Sequence, residues 1–373
     1  MSNFLIVCGG TGGHLAPGIA IAEELQQRGH QACLLVSHKQ VDTRLLQKYP
    51  HLKTHPIAGT YPSWRPLQLL RFFIGVWKAI IESKRILSHL RPVKVIGFGG
   101  FLTVVVAVIS WIGGYQLVLH EANRRPGKAI RILAPFAHQL YLPVGITPPK
   151  WRIHPFRQIG LPIRSEIQRM AKEQARQSLG LKVEGKLLVV LGGSQGAQSL
   201  NQWMEESFSE LALHNVQVYG VTGLNKSQSG YYRFPNKEGQ LRTSRLVPFS
   251  DQISVLLSAA DLVVARAGAG TLAELVRCQT PAILVPYPAA TDQHQLENAR
   301  FHERNGAGVL LEEKNLSILV NEVVALIENE ALLHFFRTSL GNMNREDALQ
   351  MMVDDLLSKE ILPQERQKVP ESV

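Results

Sequence analysis

Two doubly wound α/β domains, with parallel sheets facing a central cleft, are what this sequence predicts. Three observations predict it. A chain of 373 residues is longer than one ordinary core organises. Twice a short apolar strand runs into a glycine-rich turn and then a helix: Phe4–Cys8 into Gly9-Gly-Thr-Gly-Gly-His14, and Leu187–Leu191 into Gly192-Gly-Ser-Gln-Gly-Ala197. Each of these units then opens an alternation of apolar strands and helical stretches, the pattern of a parallel sheet covered on both faces.

In the first half, strands are expected at Phe4–Cys8, Ala32–Val36, Val93–Gly97, Leu117–His120 and Gln139–Leu142, with helices between them such as Gly18–Arg28. The charge-free run from Phe101 to Leu119 has the length of a short membrane span. Gly113-Gly114 splits it, so it reads as a buried helix over Leu102–Trp111 and a core strand over Gln116–His120. A proline-rich segment from Leu142 to Pro155 approaches a linker. The pattern restarts at Lys186, with strands at Leu187–Leu191, Val216–Val221, Arg245–Pro248, Leu262–Ala265, Ile283–Val285 and Val309–Leu311. Helices follow at Val320–Ile327, Leu332–Thr338 and Asp347–Ser358. The expected division is a first domain over 1–157, a second over 158–344, and a polar, flexible tail over 361–373. The final helix, at about 345–360, is a candidate to pack back on the first domain.

With 45% hydrophobic residues and a mean hydropathy of −0.01, the chain reads as globular. Cys8, Cys33 and Cys278 are odd in number and scattered, which offers neither a disulfide framework nor a paired metal motif and fits a reducing compartment. The opening residues lack the basic region of a secretory signal. Net charge is +10 and unevenly spread. Residues 1–157 hold 19 Lys and Arg against 5 Asp and Glu, while 158–373 hold 21 against 25. The first domain is therefore expected to meet something anionic, whether nucleic acid, an acidic substrate or a lipid headgroup surface.

A strand–glycine turn–helix unit aims unpaired N–H groups and the positive end of a helix dipole at one spot, which suits a phosphate. Gly9–His14 is not a good dinucleotide fingerprint: read from Gly10, Leu15 stands where the third glycine belongs. The second strand ends in Val36-Ser-His-Lys39, without a ribose-binding acid, although Lys39 leaves an NADP-linked oxidoreductase open as an alternative. His14 follows the turn at a helix start, where an imidazole stays neutral as a general base must; the plainer reading is a histidine that packs or caps. Arg266-Ala-Gly-Ala-Gly-Thr-Leu-Ala-Glu274 is a third anion seat. Glu274 fits either a ribose ligand or, within Thr271-Leu-Ala-Glu274, a capping box. Asp292, Gln295 and Asn298 can reach sugar hydroxyls or simply start a solvated helix. No Asp-x-Asp and no metal-spaced cluster occurs, so a metal-clamped diphosphate is disfavoured and no metal ligand is assigned. From Leu67 to Ile81 the 100° periodicity groups Leu69, Leu70, Phe73, Val76, Trp77, Ile80 and Ile81 on one stripe, with Phe72 and Ile74 at its margins and Lys78 opposite. That is either a core helix with a basic outer face or a membrane-surface patch formed by Phe72, Phe73, Ile74, Trp77 and Lys78.

Taken together, six segments in order resemble the MurG family, the bacterial UDP-N-acetylglucosamine:undecaprenyl-pyrophosphoryl-N-acetylmuramoyl-pentapeptide N-acetylglucosaminyltransferases. They are Gly9–His14 with Pro17, His120–Lys128, Gly160–Arg164, Gly192–Ala197 with Asn201, Arg266–Glu274, and Asp292–Asn298. The resemblance implies the GT-B fold of two Rossmann-like domains, with the donor held mainly by the second. It implies inverting transfer of N-acetylglucosamine (GlcNAc) from UDP-GlcNAc to the C4 hydroxyl of the N-acetylmuramoyl (MurNAc) residue of lipid I, giving lipid II for peptidoglycan. Another GT-B transferase acting on a glycolipid such as diacylglycerol is the alternative.

By the same resemblance, His14 is the base, with Glu121 as the other candidate. Thr11, Gly12, Gly13, Asn123, Arg164, Ser194, Ser250, Ala269, Gly270, Thr271, Leu272, Ala273, Glu274 and Gln295 meet the substrates, and Glu274 is assigned to the ribose. Three positions depart from the family pattern: Leu161 where Asn is usual, Ala122 where Gln is usual, and Ser250 where the uracil segment is usually apolar. No resident cofactor is implied, and metal stimulation stays open. The implied partners are UDP-GlcNAc, lipid I and an anionic membrane surface, with cell-wall synthesis proteins as candidates and nucleic acid excluded. The implied location is peripheral, at the cytoplasmic face of the inner membrane.

Overall fold

The computed structural model describes residues 1–8, 12–37, 40–57, 66–148, 155–181, 184–192, 197–224, 229–344 and 347–358. These form two compact units. The first combines 1–122, 126–162 and the described residues from 347 onward; the second combines 123–125 with 163–346.

The first unit runs β1 (Asn3–Val7), α1 (Gly12–Gln27), β2 (Gln31–Val36), α2 (Gln40–Leu46), β3 (Lys53–Pro56), α3 (Pro66–Leu90), β4 (Lys94–Gly97), α4 (Gly100–Ile112), β5 (Gln116–His120), α5 (Lys128–Leu133), β6 (Gln139–Leu142) and β7 (Phe156–Gln158). Its sheet has the order β3-β2-β1-β4-β5-β6-β7, all parallel. Strands buried on both faces explain the unbroken apolar runs of β1, β2 and β5. The order reverses between β1 and β4, so the turns after these two strands flank the crevice where such sheets bind ligands.

The second unit runs α6 (Lys172–Ser178), β8 (Lys186–Leu191), α7 (Gln198–Leu213), β9 (Val216–Val221), β10 (Gly230–Pro235), β11 (Leu241–Val247), α8 (Ile253–Ala259), β12 (Leu262–Ala265), α9 (Ala269–Cys278), β13 (Ala282–Leu284), α10 (His294–Arg304), β14 (Val309–Leu310), α11 (Leu319–Glu328) and α12 (Glu330–Met343). Its order is β10-β11-β9-β8-β12-β13-β14, parallel except for the antiparallel β10–β11 pair. The switch point lies between β8 and β12. The last helix, α13 (Ala348–Leu357), sets Leu349, Met352, Val353 and Leu356 into the first unit's core beside Ile6, Leu15 and Ile19. Lys94 Nζ donates to the α13 carbonyls of Asp355 (3.2 Å) and Leu356 (2.8 Å), and Arg157 Nη1 reaches Asp355 Oδ1 at 2.6 Å.

Several expectations need adjusting. The first helix begins at Gly12 rather than Gly18 and carries Pro17 inside it. A proline at this sixth position removes the N–H that would bond the Gly13 carbonyl and crowds that carbonyl, next to the glycine-rich start of the helix. Gly18 is the close-approach glycine of this βα unit: a Cβ on it would overlap Cys8 Sγ. Strands β3, β7 and β10 went unread in the sequence because each is short or an edge, with no apolar run. The Phe101–Leu119 run divides into α4 and β5 at Gly113-Gly114, and among the described residues no helix is long and apolar enough to cross a membrane.

Candidate active site

In the first unit, Gly12, Gly13 and His14 open α1 at the switch point. Thr11 lies outside the described residues. Facing them is a unit that the sequence reading missed: β4 ends at Gly97, and the turn Phe98-Gly99-Gly100 starts α4. Gly99 and Gly100 have φ of +100° and +78°, which only glycine adopts readily. A Cβ on Gly99 would stand 3.9 Å from His14 Cε1 and Nε2, so the imidazole lies against the α4 N-terminus, which has no side-chain cap. The signal was present as Gly97-Phe-Gly-Gly100 after an apolar strand.

The His120-Glu-Ala-Asn123 segment follows β5. Burial drives the His120 imidazole down to about 4, so it is neutral, and its Nε2–H donates to the Gly160 carbonyl at 3.1 Å. Glu121 is buried, and its Oε2 accepts the Gly127 N–H at 2.7 Å. That fixes the start of α5 and commits one carboxylate oxygen.

The second unit gathers most of the remaining candidates around α9. Its N-cap is Gly268, with no side-chain cap, so Ala269, Gly270 and Thr271 supply a first turn of amides at the switch point. This start rules out the capping box, since Thr271 is the third helical residue rather than the cap. Glu274 lies one turn further on, and its Oε1 accepts from Arg164 Nη2 at 3.2 Å. Burial raises the Glu274 pKa against the lowering pull of Arg164. Arg164 also faces Glu166 at 3.4 Å. Leu272 is buried, while Ala273 lies on the partly exposed side of α9.

Asn123 Oδ1 accepts from Asn298 Nδ2 at 3.1 Å; the same Nδ2 reaches the Ala267 carbonyl at 3.1 Å, and Asn298 Oδ1 accepts the Arg124 N–H at 2.9 Å. Asn298 is therefore spent on the 123–124 segment and the α9 approach, not available for a sugar as the sequence suggested. Arg124 lies 3.8 Å over the Phe301 ring. Gln295 Oε1 accepts the Tyr287 N–H at 2.9 Å. Ser250 sits past the carboxyl end of β11, where its Oγ accepts the Gln252 N–H at 3.2 Å. Ser194 lies outside the described residues.

On α3, the apolar stripe is not one face. Gly75, Ala79, Ser83 and Leu87 are buried, whereas Phe73 (60% exposed), Ile74 and Trp77 (65%) face outward with Lys78. Phe72 instead turns inward, its ring 5.4 Å from Phe101. The buried line of α3 thus runs through the small residues Gly75, Ala79 and Ser83, offset from the expected stripe. The side chains of 66–71, including Leu69 and Leu70, lie outside the described residues. Trp111, Ile112, Ile132 and Phe136 are also exposed, on α4, α5 and the turn that follows.

Comparison with known proteins agrees in both units. Residues 4–142 match the glycosyltransferase family 28 N-terminal domain and residues 187–346 the family 28 C-terminal domain. A protein of Opitutus terrae named UDP-N-acetylglucosamine–N-acetylmuramyl-(pentapeptide) pyrophosphoryl-undecaprenol N-acetylglucosamine transferase is 47% identical, over 95% of this chain and 94% of its own length. One of Desulforudis audaxviator with the same name is 33% identical over 94% of this chain and 96% of its own. The Acinetobacter baumannii MurG crystal structure shares the fold, with a TM-score of 0.70 at 22% identity over 95% of this chain and 99% of that one. A kitacinnamycin glycosyltransferase does so at 0.67 and 14%, over 95% and 98%. The chain belongs to glycosyltransferase family 28 and, within it, to the transferases of the MurG type.

Proposed function

We propose that this protein is an inverting hexosyltransferase that moves GlcNAc from UDP-GlcNAc to the C4 hydroxyl of MurNAc in lipid I, giving lipid II. The observation that carries this reading is the 47% identity, along 95% of the chain, to a relative named as an N-acetylglucosamine transferase on a pyrophosphoryl-undecaprenol acceptor.

In this reading the acceptor oxygen attacks the anomeric carbon as its proton passes to the His14 imidazole. The bond from that carbon to the β-phosphate oxygen breaks, and UDP departs. Glu274 accepts the ribose hydroxyls, with Arg164 holding its carboxylate in place. The uncapped first turn of α9, Ala269 to Thr271, meets the diphosphate, where N–H groups and the helix dipole stabilise the charge that grows on leaving. Ser250 meets the uracil, Asn123 and Gln295 supply polar contacts, and the amides of Thr11, Gly12 and Gly13 complete the donor contacts with Ser194. Glu121 is the weaker base candidate, because one of its oxygens already holds Gly127.

The protein works at the cytoplasmic face of the inner membrane, as a peripheral protein. Phe73, Ile74 and Trp77 enter the anionic surface beside Lys78, and the exposed Trp111, Ile112, Ile132 and Phe136 extend the apolar area. Cell-wall synthesis proteins are the partners expected there.

Incubation with labelled UDP-GlcNAc and lipid I tests the function. A disaccharide-lipid product is expected, and His14→Ala should slow its formation on the order of 10²–10⁴-fold while donor affinity stays nearly intact. Absence of product, or transfer to diacylglycerol in its place, would refute the assignment. Wild-type-like turnover in the variant would remove His14 from the chemistry.

A further inference from the structure

One side chain spans the switch point of the second sheet. Arg266, the residue after β12, is 9% exposed. Its Nη1 donates to the carbonyls of Val285 (3.2 Å) and Pro286 (3.3 Å) past the end of β13, and Nη2 to Ser199 Oγ (3.1 Å) in the first turn of α7. Nη1 also pairs with the Glu313 carboxylate, and the guanidinium lies 5.4 Å over the Tyr287 ring. A planar fork with five donors can hold so many segments at once; a lysine cannot.

The clamped segment 285–287 leads directly to a substrate candidate. The Tyr287 N–H donates to Gln295 Oε1 at 2.9 Å. A donor in that place demands the oxygen of the amide, so the Gln295 NH2 is the group left to present: two donors and no acceptor. Between them, Asp292 and Gln293 both hold left-handed backbone, at φ +53° and +54°. Consecutive non-glycine residues adopt it only where their surroundings over-determine them. The loop is thus built in one shape, anchored at its near end by Arg266.

We propose that Arg266 is a positioning residue for glycosyl transfer: it fixes Tyr287 so that Gln295 presents its NH2, as a donor, to a hydroxyl oxygen of the donor sugar. This rests on the transfer reaction proposed above. In this role Arg266 acts through Tyr287 and Gln295, so its loss is expected to fall on sugar recognition rather than on the nucleotide.

The test compares KM for UDP-GlcNAc with the dissociation constant of UDP, which lacks the sugar, in full-length protein. Arg266→Ala is expected to raise KM for UDP-GlcNAc roughly tenfold or more, the worth of a lost buried hydrogen bond, while UDP affinity stays within about twofold. Arg266→Lys should behave in the same way. Gln295→Glu keeps an oxygen for Tyr287 but presents no donor, so it should show the same split, and Arg266→Ala added to it should cause no further rise in KM. Should Arg266→Ala fail to fold, Arg266→Lys and Gln295→Glu carry the test. Equal weakening of UDP and UDP-GlcNAc, or a Gln295→Glu enzyme with unchanged KM, overturns the inference while leaving the transferase reading intact. A wild-type protein that makes no lipid-linked disaccharide overturns both.

Discussion

Arg164 Nη2 lies 3.2 Å from Glu274 Oε1, tying the end of the Gly160–Arg164 segment to the sixth residue of α9. Burial pushes the Glu274 pKa up and Arg164 pulls it down, with burial the larger effect. In the ribose contact proposed for Glu274 the carboxylate is the form that accepts hydroxyls, so UDP binding should weaken on acidification at a higher pH than an ordinary glutamate would dictate. Removing the cation raises that pKa further. Arg164→Ala should therefore shift the acid limb of UDP binding to higher pH, and Glu274→Gln should abolish the limb and weaken binding at every pH. Titration calorimetry with UDP from pH 5 to 8 reads this. An acid limb unmoved by Arg164→Ala would mean that the pair does not control the ribose contact.

The outward face of α3 should govern membrane attachment. Phe73→Glu with Trp77→Glu places two carboxylates on residues that are 60% and 65% exposed, so the fold loses little. Pelleting with vesicles containing anionic lipid should fall several-fold, because apolar insertion is lost and like charges now face each other. Transfer to lipid I in detergent should persist. Phe72→Ala should instead lower the melting temperature, since that ring packs on Phe101. Undiminished pelleting of the double variant would rule out α3 as the anchor.

Much of this was legible in the sequence, and the gaps have physical reasons. The buried parallel strands announce themselves because both faces are covered, which forces the apolar runs of β1, β5, β8 and β12. Edge strands carry no such demand, and β10, with Tyr231 and Tyr232 exposed, looks like a loop. The amphipathic pattern of α13 shows that it covers a sheet but not which one. In the candidate site, the glycine turns and Glu274 stand out as local motifs. The roles of Asn298 and Arg266 do not, because each depends on partners brought in by distant strand ends. The T-x-x-E spacing at Thr271 misled because a capping box also needs its first residue to be the N-cap, and α9 is capped three residues earlier, at Gly268.

Two buried histidines should make stability acid-sensitive. Burial lowers His120 in the first unit and His302 in the second to about 4 each. Between that value and the ordinary histidine range near 6.5, the unfolded chain binds protons that the folded chain refuses. Each group's contribution is therefore present at neutral pH and lost as pH falls through this window, by at most about 1.4 kcal/mol per pH unit per histidine. Replacing His302 with Leu should flatten the fall in urea midpoint between pH 7 and pH 5 for the second unit's transition. A slope equal to the parent's would mean that His302 protonates freely in the folded protein.

Gly18 and Cys8 should behave as one packing unit. Gly18 lies inside α1, where alanine would ordinarily gain about 1 kcal/mol over glycine in helix propensity. Here the added methyl would overlap Cys8 Sγ, so either α1 lifts from β1 or the thiol leaves its rotamer. Overpacking of this kind costs about 1–3 kcal/mol, and Gly18→Ala should be destabilising despite the propensity gain. Cys8→Ala alone should lose a smaller amount through the vacated volume. With the sulfur gone, the nearest atoms to the new methyl are Ile6 Cγ2 at 3.4 Å and the Cys8 Cβ at 3.6 Å, both ordinary contacts. The double variant should therefore recover most of the loss, with a coupling of about 1–3 kcal/mol in a denaturation cycle. Because α1 carries Gly12, Gly13 and His14 at its start, the Gly18→Ala single variant should also lose turnover in proportion to the displacement of the helix, and the double variant should regain it. Additive losses across the cycle would show that the helix does not rest on the thiol.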